Sequence, residues 1–380
     1  MDVLLVQRVC SKFSIGTFEE LSRHHRLKCL FWSDENERHV DPRNLVKPKD
    51  VLFDGEYLKG FRLFGRVRIA PSLVGRLLFG KYDILICNVG GAFAFPVAVL
   101  AAWLRRKPVV IWASSWHLSG TLLQRIGFPF MRLVYKRANA IVTYGEHVKE
   151  FLIPLGVSEK KIFVAWHTID NSLFNRPVSV QELDQLRNDL GIVTEHIILF
   201  VGRLEIEKGI YYLLDAFKRM RAHCSLLMIG NGPERGAIKE KCIREEIGHV
   251  YILDYVDNSA LYKYYALADV FVLPSITTRD FKEPWGVVVN EAMNQGCPVV
   301  ASNAVGAAMG GLVVHGETGL IVEERDAEAL YRAIDTILSD KELWNSMRRR
   351  SREMIAEWTY ERMVRGFLDA IDYASGGGMP

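Results

Sequence analysis

Residues 197–209 read IILFVGRLEIEKG, and this stretch decides the fold class. Its first five residues, 197–201, are all apolar, which is typical of a strand buried on both faces of a sheet. Gly202 ends the apolar run, and helix-like periodicity begins after Gly209. A buried strand, a glycine-bearing loop and a helix form the repeating unit of a parallel α/β sheet.

Further apolar runs of this kind lie on both sides of the stretch, separated by segments with helical periodicity. They occur at 2–6, 28–32, 83–87, 109–113, 140–143 and 162–165, and then at 225–229, 250–253, 270–273 and 298–301. Two such series in 380 residues predict an α/β protein with two doubly wound, Rossmann-like domains, because one core rarely grows beyond about 300 residues. We expect ligands at the carboxyl ends of the strands.

The domain boundaries follow from where the alternation stops. We place the N-terminal domain at 1–172, a linker at 173–195, the C-terminal domain at 196–358, a last helix at 359–374 that packs back on the first domain, and a disordered tail at 375–380.

Composition excludes several classes of protein. Hydrophobic residues make up 49% of the chain and charged residues 24%, as in ordinary globular proteins rather than disordered ones. The apolar run at 84–104 contains Gly90, Gly91 and Pro96, which favours a strand, a turn and a helix over a membrane span. No signal peptide and no C-x-x-C pair is visible, so the six cysteines indicate buried thiols in a reducing, cytoplasmic location.

The charge is unevenly distributed along the chain. Residues 1–180 contain 26 Lys and Arg against 15 Asp and Glu, whereas 181–380 contain 22 against 30. The excess suggests an anionic partner, either a phosphorylated acceptor or an acidic membrane surface, and the alternative is a solvated basic face. The helical segment 121–138 mixes basic with aromatic and aliphatic residues, so it is either an interfacial anchor or a helix with its apolar side in the core. No motif points to nucleic acid.

Two glycine-bearing loops are candidate ligand sites. The loop at 202–209 brings Arg203 and Lys208 to the end of a strand, and a pyrophosphate needs such cations beside free backbone N–H groups. The segment Gly230-Asn231-Gly232-Pro233 would let a backbone approach a ligand closely. An ordinary loop with solvated charges and a plain turn are the alternatives.

A third candidate, residues 283–293, reads EPWGVVVNEAM. Pro284 fits a first helical turn, and a helix start near Gly286 would present N–H groups to a ligand. Glu291 would then lie more than two turns beyond Glu283 and about 80° around the helix axis, so the two carboxylates would touch different parts of one ligand. The alternative is that both are surface charges.

Taken together, these segments resemble the retaining family 4 glycosyltransferases of the GT-B fold. The similarity runs from Gly202 through Glu291 and continues with 303–306 (NAVG) and 315–320 (HGETGL) in the family's order. It covers roughly 195–330 and implies two Rossmann-like domains facing each other across a cleft. It also implies a retaining hexosyltransferase that takes its sugar from a nucleotide-sugar.

The resemblance assigns roles to individual residues. Arg203 and Lys208 would neutralise the leaving diphosphate, Glu283 would hold hydroxyls of the donor sugar, and Glu291 would accept hydrogen bonds from the ribose. Donor contacts are also implied for the backbones of Gly202, Gly230, Gly232, Trp285, Gly286 and Val287. No metal and no separate cofactor are expected, since the nucleotide-sugar is itself a substrate.

The N-terminal half carries fewer matching residues. His117 stands where the family often has a histidine that contacts the donor sugar, and the alternative is a packing or capping histidine. The first loop lacks the family's paired glycines, so only Gly16 is available for the acceptor or phosphate side, with Arg8 and Lys12 as cations. Asp254 replaces a frequent glycine, which bears on the contacts to the base.

The implied acceptor is a glycan or a lipid-linked glycan in surface polysaccharide or lipopolysaccharide assembly. A small soluble acceptor is the alternative within the same fold. A nucleotide-sugar-binding or scaffold protein that has lost catalysis is the alternative from a different functional class, and the presence of Arg203, Lys208, Glu283 and Glu291 disfavours it. An oxidoreductase is disfavoured because no G-x-G-x-x-G follows a predicted strand.

Overall fold

The computed structural model describes residues 1–33, 45–47, 50–63, 67–118, 120, 122–220 and 223–376. Two predictions extend beyond these ranges: Thr121, the first residue of the predicted basic helix, and 377–380 of the predicted tail lie outside the described residues.

The first part of the chain alternates strands and helices. Its elements are β1 Asp2–Gln7, α1 Lys12–His24, β2 Arg26–Phe31, β3 Asp54–Tyr57, β4 Phe61–Leu63, β5 Val67–Ile69, α2 Ser72–Phe79, β6 Ile84–Asn88, α3 Ala94–Leu104, β7 Val109–Ala113, α4 Leu122–Arg137, β8 Ala140–Thr143, α5 Glu146–Leu152 and β9 Ile162–Val164.

The second part repeats the alternation and ends in three helices. Its elements are α6 Asn171–Phe174, α7 Val180–Asp189, β10 His196–Val201, α8 Ile210–Phe217, β11 Cys224–Ile229, α9 Arg235–Arg244, β12 Val250–Leu253, α10 Asn258–Leu267, β13 Val270–Leu273, α11 Val288–Asn294, β14 Val299–Ser302, α12 Gly306–Met309, β15 Gly319–Val322, α13 Ala327–Ser339, α14 Lys341–Ala356 and α15 Tyr360–Ala374.

The chain forms two compact units. The first contains 1–116, 122–169 and the residues from Tyr360 onward, and the second contains 170–359 together with a short segment that begins at His117. Residues 173–195, predicted as a linker, lie in the second unit, where α6 and α7 pack against α10. Their packing rests on apolar side chains such as Phe174 and Ile192, both buried.

Each unit is built on one parallel sheet. The first sheet has seven strands in the order β3-β2-β1-β6-β7-β8-β9, and the second has six in the order β12-β11-β10-β13-β14-β15. The strand order reverses between β1 and β6 in the first sheet and between β10 and β13 in the second. Loops that leave the carboxyl ends of these central strands border the crevice where doubly wound sheets bind ligands.

The structure confirms the eleven strand-like runs, with ends that shift by one or two residues. It adds β3, β4, β5 and β15, which were not among the predicted strands. β3 has the sequence DGEY and none of its residues is buried, so it has no apolar run to detect. Apolar side chains on both faces of the first sheet form two separate cores, as a sheet covered by helices on both sides requires.

Two helices bear on the predictions for the N-terminal half. The apolar segment at 84–104 forms β6, a turn and α3, as predicted, and no helix within the described residues is long and apolar enough to cross a membrane. The basic helix α4 contains Pro129 and continues through it as one helix.

Candidate active site

The loop after β10 contains both predicted cations, and each lies beside carboxylates. Arg203 pairs with Glu205, at 2.6 Å between guanidinium nitrogen and carboxylate oxygen, and approaches Glu207 at 3.7 Å. Burial raises the pKa of Glu205, and its neighbour Glu207 raises it further. The loop therefore carries acidic groups that offset part of the positive charge of Arg203.

Lys208 and Glu283 form a largely buried ion pair. The ammonium contacts the Glu283 carboxylate, and the two side chains are only 12% and 9% exposed. The hydroxyl of Ser275 donates to the same carboxylate at 3.1 Å, and the ring of Phe281 lies 5.4 Å from the ammonium. Residues separated by 75 positions in sequence thus meet at the carboxyl edge of β10 and β13.

The two glycine-bearing loops pack against each other. The amide of Leu204 donates to the carbonyl of Asn231 at 3.0 Å, and Gly202 donates to Ile229 at 3.0 Å. A side chain at Gly230 would place its Cβ 2.0 Å from the Gly202 carbonyl oxygen, so no larger residue fits there. Close approach between two backbones therefore explains the glycine at 230, whatever ligand the loops bind.

The turn from Glu283 to Val287 precedes the helix instead of belonging to it. The prediction that Pro284 lies in the first helical turn near Gly286 is wrong, since α11 begins at Val288. Gly286 has a φ of +91°, which an α-helix does not allow. A Cβ at Gly286 would lie 2.7 Å from the Leu273 side chain, so the turn depends on glycine there.

The chain around Glu283 runs beside a second backbone segment. Glu283 forms a parallel bridge with Val305, and the amide of Ala307 donates to the carbonyl of Trp285 at 2.7 Å. The Trp285 indole is buried and donates to the Asn290 side chain at 2.8 Å. Any donor contact of Trp285 must therefore come from its backbone, which is the contact that the resemblance implies.

Glu291 lies in the interior of the second unit. Its side chain is 3% exposed and accepts a hydrogen bond from the hydroxyl of Tyr265 at 2.7 Å. Burial raises the pKa of Glu291 to about 7, and the Tyr265 hydrogen bond opposes that rise. The carboxyl group can therefore change charge near neutral pH, and its contact with a ribose stays a prediction.

His117 lies next to the loop that follows β13. Its Nε2 is 3.4 Å from the carbonyl oxygen of Arg279, and the amide of Gly120 donates to the same oxygen at 2.9 Å. The Arg279 guanidinium donates in return to the carbonyl of Gly120, at 3.0 and 3.2 Å. His117 is thus held beside the residues that lead to Glu283, and its contact with a sugar stays a prediction.

The three residues predicted for the acceptor or phosphate side have different surroundings. Gly16 lies within α1, and a Cβ there would lie 2.1 Å from the ring of Tyr360 in α15. Gly16 is therefore a helix-packing position, and its contact with a phosphate stays a prediction. Lys12 is exposed at the start of α1, whereas Arg8 borders a cavity of the first unit.

Sequence reasoning missed several partners of the predicted residues: Ser275, Phe281, Tyr265 and Arg279. Each comes from a neighbouring loop or helix, so no local pattern marks it. Asp254, noted as a departure from the family, contacts the Arg235 side chain. Within the described residues, no group of three or more His, Cys, Asp or Glu side chains is arranged to hold a metal ion.

Two family profiles match the sequence in adjoining parts. Glycosyl transferases group 1 matches residues 183–354, and Glycosyltransferase Family 4 matches residues 19–173. Between them they span most of the chain, and the candidate site lies in the first of these matches. The chain belongs to the group 1, family 4 glycosyltransferases.

Curated relatives of this glycosyltransferase share a quarter to a third of its residues over the matched segments. An uncharacterized glycosyltransferase of Methanocaldococcus jannaschii is 33% identical over 205 residues, which are 53% of this chain and 51% of that protein. The match therefore spans about half the length of that relative. The capsular polysaccharide biosynthesis glycosyltransferase CapM of Staphylococcus aureus is 26% identical over 298 residues, 73% of this chain and 74% of CapM.

Solved structures confirm the GT-B fold of this glycosyltransferase. HepE of Anabaena, solved in complex with UDP, superposes with a TM-score of 0.77 over 98% of this chain and 100% of HepE, at 18% identity. The same protein has been solved with UDP-glucose and superposes with a TM-score of 0.76. The predicted fold class and the predicted enzyme class are both confirmed.

Proposed function

We propose that this glycosyltransferase moves a hexosyl group from a nucleotide-sugar to a glycan or lipid-linked acceptor, with retention of anomeric configuration. The Lys208–Glu283 pair at the switch point of the second sheet carries the proposal, because it joins a cation for a diphosphate to an acceptor for sugar hydroxyls. The UDP and UDP-glucose complexes of HepE support a nucleotide-sugar donor. The names of CapM, a capsular polysaccharide biosynthesis glycosyltransferase, and of LpsE of Rhizobium meliloti, a lipopolysaccharide core biosynthesis glycosyltransferase, support a role in surface polysaccharide or lipopolysaccharide assembly.

The chemistry follows from what these side chains can do. The bond between the sugar C1 and the phosphate oxygen breaks, and C1 forms a bond to the acceptor oxygen on the same face. Charge develops on the leaving diphosphate, where Arg203 and Lys208 stabilise it. An ammonium has three N–H donors, so Lys208 can bond Glu283 and a phosphate oxygen together. The acceptor proton passes to the leaving phosphate, and no metal is required in this scheme.

The remaining predicted residues orient the donor. Glu283 accepts hydrogen bonds from sugar hydroxyls, while Lys208 and Ser275 hold its Oε2 atom. Glu291 accepts from the ribose, and His117 contacts the sugar from the segment beside Arg279. Fixed donors and acceptors of this kind raise the rate by positioning, because their reorganisation is completed during folding.

A thermal-shift screen against UDP, GDP, ADP, CMP and their common sugar conjugates tests the donor site. A ligand at 100 times its dissociation constant stabilises the folded protein by about 2.7 kcal/mol. We expect one base to stand out, with uridine tested first. Stabilisation that disappears in the Lys208→Ala variant assigns the shift to this site. A folded sample that no nucleotide stabilises would favour a scaffold protein or a donor outside this panel.

We further propose that the enzyme meets its acceptor at the cytoplasmic face of an anionic membrane, through α4. The helix buries Val134 and Tyr135 in the core, whereas Ile126 and Leu133 remain 70% and 40% exposed. Exposed Arg125 lies beside Ile126, so basic and apolar groups share one surface.

Sedimentation with acidic and neutral vesicles at low salt tests this association. We expect binding to acidic vesicles to weaken by about 1 kcal/mol for each arginine removed in Arg125→Gln/Arg132→Gln. The matched control Arg244→Gln/Arg349→Gln removes two exposed arginines from the second unit and should bind normally. If the wild-type protein stays in the supernatant in the presence of acidic vesicles, the proposed membrane association is wrong.

A further inference from the structure

Tyr265 is a fully buried tyrosine on the helix that packs against the one carrying Glu291. It lies in α10, and α10 packs against α11. The Tyr265 hydroxyl donates to Oε2 of Glu291 at 2.7 Å, although 26 positions separate the two residues in sequence. A fully buried side chain does not contact a ligand directly. Any effect of Tyr265 on the donor must therefore pass through the Glu291 carboxylate.

Two phenylalanine rings fix the ring of Tyr265. Phe271 of β13 lies 5.6 Å away between ring centroids, and Phe174 of α6 lies 6.3 Å away. Both pairs are edge to face, which is a favourable arrangement of aromatic rings, and both phenylalanines are buried. Close-packed interiors hold side chains in defined rotamers. The position of the Tyr265 hydroxyl is therefore set by a strand and a helix of the core, not by a loop.

The direction of the hydrogen bond is fixed as well. Burial raises the pKa of Tyr265 well above its ordinary value, so the phenol keeps its proton and donates it. An ionised carboxylate has only acceptor sites. The bond from Tyr265 favours that ionised form and opposes the effect of burial on the pKa of Glu291. Tyr265 thus keeps Glu291 an acceptor, which is the form that sugar hydroxyls require.

The bond leaves part of the carboxylate available. Tyr265 occupies Oε2, whereas Oε1 is not among the buried polar atoms of the described residues that lack a partner, so it is not enclosed. A carboxylate has about four lone-pair directions, enough for Tyr265 and for two neighbouring ribose hydroxyls. The amide of Glu291 donates to the carbonyl of Val287 at 3.2 Å. Glu291 therefore lies one helical turn beyond the turn that carries Glu283.

We propose that Tyr265 is a positioning residue for the nucleotide donor: its hydroxyl holds the Glu291 carboxylate in the orientation that receives the ribose hydroxyls. The inference rests on the proposed function, in which Glu291 contacts the ribose. It assigns to Tyr265 the geometry of that contact, because the hydroxyl fixes one carboxylate oxygen and leaves the other for the ligand.

A purely structural role for the pair makes a different prediction. Buried polar groups need partners, and loss of the hydroxyl alone would then loosen the second unit. Such loosening would weaken the binding of every nucleotide to the same extent. A positioning role weakens only the part of the affinity that comes from the ribose hydroxyls.

The test compares UDP with 2′,3′-dideoxy-UDP, which lacks both hydroxyls, by titration calorimetry on the full chain. If the thermal-shift screen selects another base, the corresponding pair of diphosphates replaces them. We expect the wild type to prefer UDP by at least about tenfold, as hydrogen bonds to a charged group imply. In Tyr265→Phe this preference should fall to about threefold or less, while the affinity for the dideoxy compound stays within about twofold of wild type.

Tyr264→Phe is the matched control. It removes a hydroxyl from the preceding residue of the same helix, which is half-buried and lies about 100° around the helix axis from Tyr265. Its preference for UDP should equal that of the wild type. Phe174→Leu keeps the Tyr265 hydroxyl and removes one of the rings that fix it. This variant replaces Tyr265→Phe if the latter does not fold, and it should lose about threefold of the preference.

Three results would overturn the inference, and they differ in what else they affect. An undiminished preference for UDP in the folded variant shows that Tyr265 does not position Glu291, and the proposed function stands. Equal losses for UDP and the dideoxy compound assign a structural role to Tyr265. A wild type that binds both compounds equally removes the ribose contact of Glu291 and with it the role of Tyr265. Protein that binds no nucleotide refutes the donor site itself, which is a failure of the proposed function.

Discussion

At the scale of single residues, the raised pKa of Glu291 makes the free energy of unfolding depend on pH. Burial raises its pKa to about 7 from an ordinary 4.5, so the folded protein holds this proton more tightly than the unfolded chain does. The unfolded state loses the proton first as pH rises. Folding therefore becomes less favourable between about pH 4.5 and pH 7, and the loss levels off above that window.

Glu291→Gln should remove this pH dependence. The amide cannot ionise, and its oxygen can still accept the hydrogen bond from Tyr265. We expect the free energy of unfolding of the wild type to fall by on the order of 3 kcal/mol more than that of the variant between pH 4.5 and pH 8, measured by urea denaturation. Glu240→Gln, an exposed helix position, is the control. A variant with the wild-type pH slope would show that Glu291 is not the group responsible.

The Lys208–Glu283 pair gives a second prediction at this scale. Lys208→Ala and Glu283→Ala should each lower transfer by at least about 100-fold, in line with the loss of one contact to the transition state. Lys218→Ala removes an exposed lysine that pairs with Glu245, and its activity should be unchanged. Turnover close to wild type in either site variant would refute the assignment.

At the scale of elements, the turn before α11 depends on the backbone of Gly286. Alanine at this position must adopt a φ of +91° and place its Cβ 2.7 Å from Leu273. We expect Gly286→Ala to cost about 1–3 kcal/mol of unfolding free energy and to weaken nucleotide binding, because the turn carries Glu283. Thermal denaturation with and without UDP measures both effects.

Gly236 provides the matched control for this substitution. It lies in α9 of the same unit, and no atom lies within 4 Å of a Cβ built there. Alanine should be neutral at Gly236 or stabilise the helix by up to about 1 kcal/mol. If both variants lost stability equally, the positive φ of Gly286 would not be the cause.

At the scale of the whole molecule, the last helix completes the first unit. Buried residues of α15, among them Met363, Phe367 and Ile371, join the core on one face of the seven-stranded sheet. The Phe367 ring lies 5.2 Å from that of Trp112 in β7, edge to face. The first unit therefore cannot complete its core until the end of the chain is present.

Phe367→Ala should destabilise the first unit by about 3–5 kcal/mol, as large-to-small core substitutions do. Hydrogen exchange should accelerate in β7 and β8 and stay unchanged in β10 and β11, because those strands belong to the second unit. Arg365→Ala, an exposed position on the same helix, is the control. Faster exchange in both sheets would mean that the two units unfold together.

The sequence by itself determined the α/β class, eleven strands of the two sheets and the segments that carry the candidate site. These features depend on local periodicity: five apolar residues in a row, a glycine where a strand ends, and apolar residues repeating every three or four positions. The strand 197–201 and the helix after Gly209 were predictable for this reason. Strands without an apolar run, such as β3, were not.

Only the tertiary structure decided which residues meet. Lys208 contacts Glu283 because loops from different strands end at one sheet edge. Tyr265 of α10 bonds Glu291 of α11, and Arg279 holds the segment of His117. Tyr360 of α15 likewise packs against Gly16 of α1, a contact between residues far apart in sequence. Such contacts depend on side chains distant in sequence, and a local pattern in one segment holds no information about its partner in another.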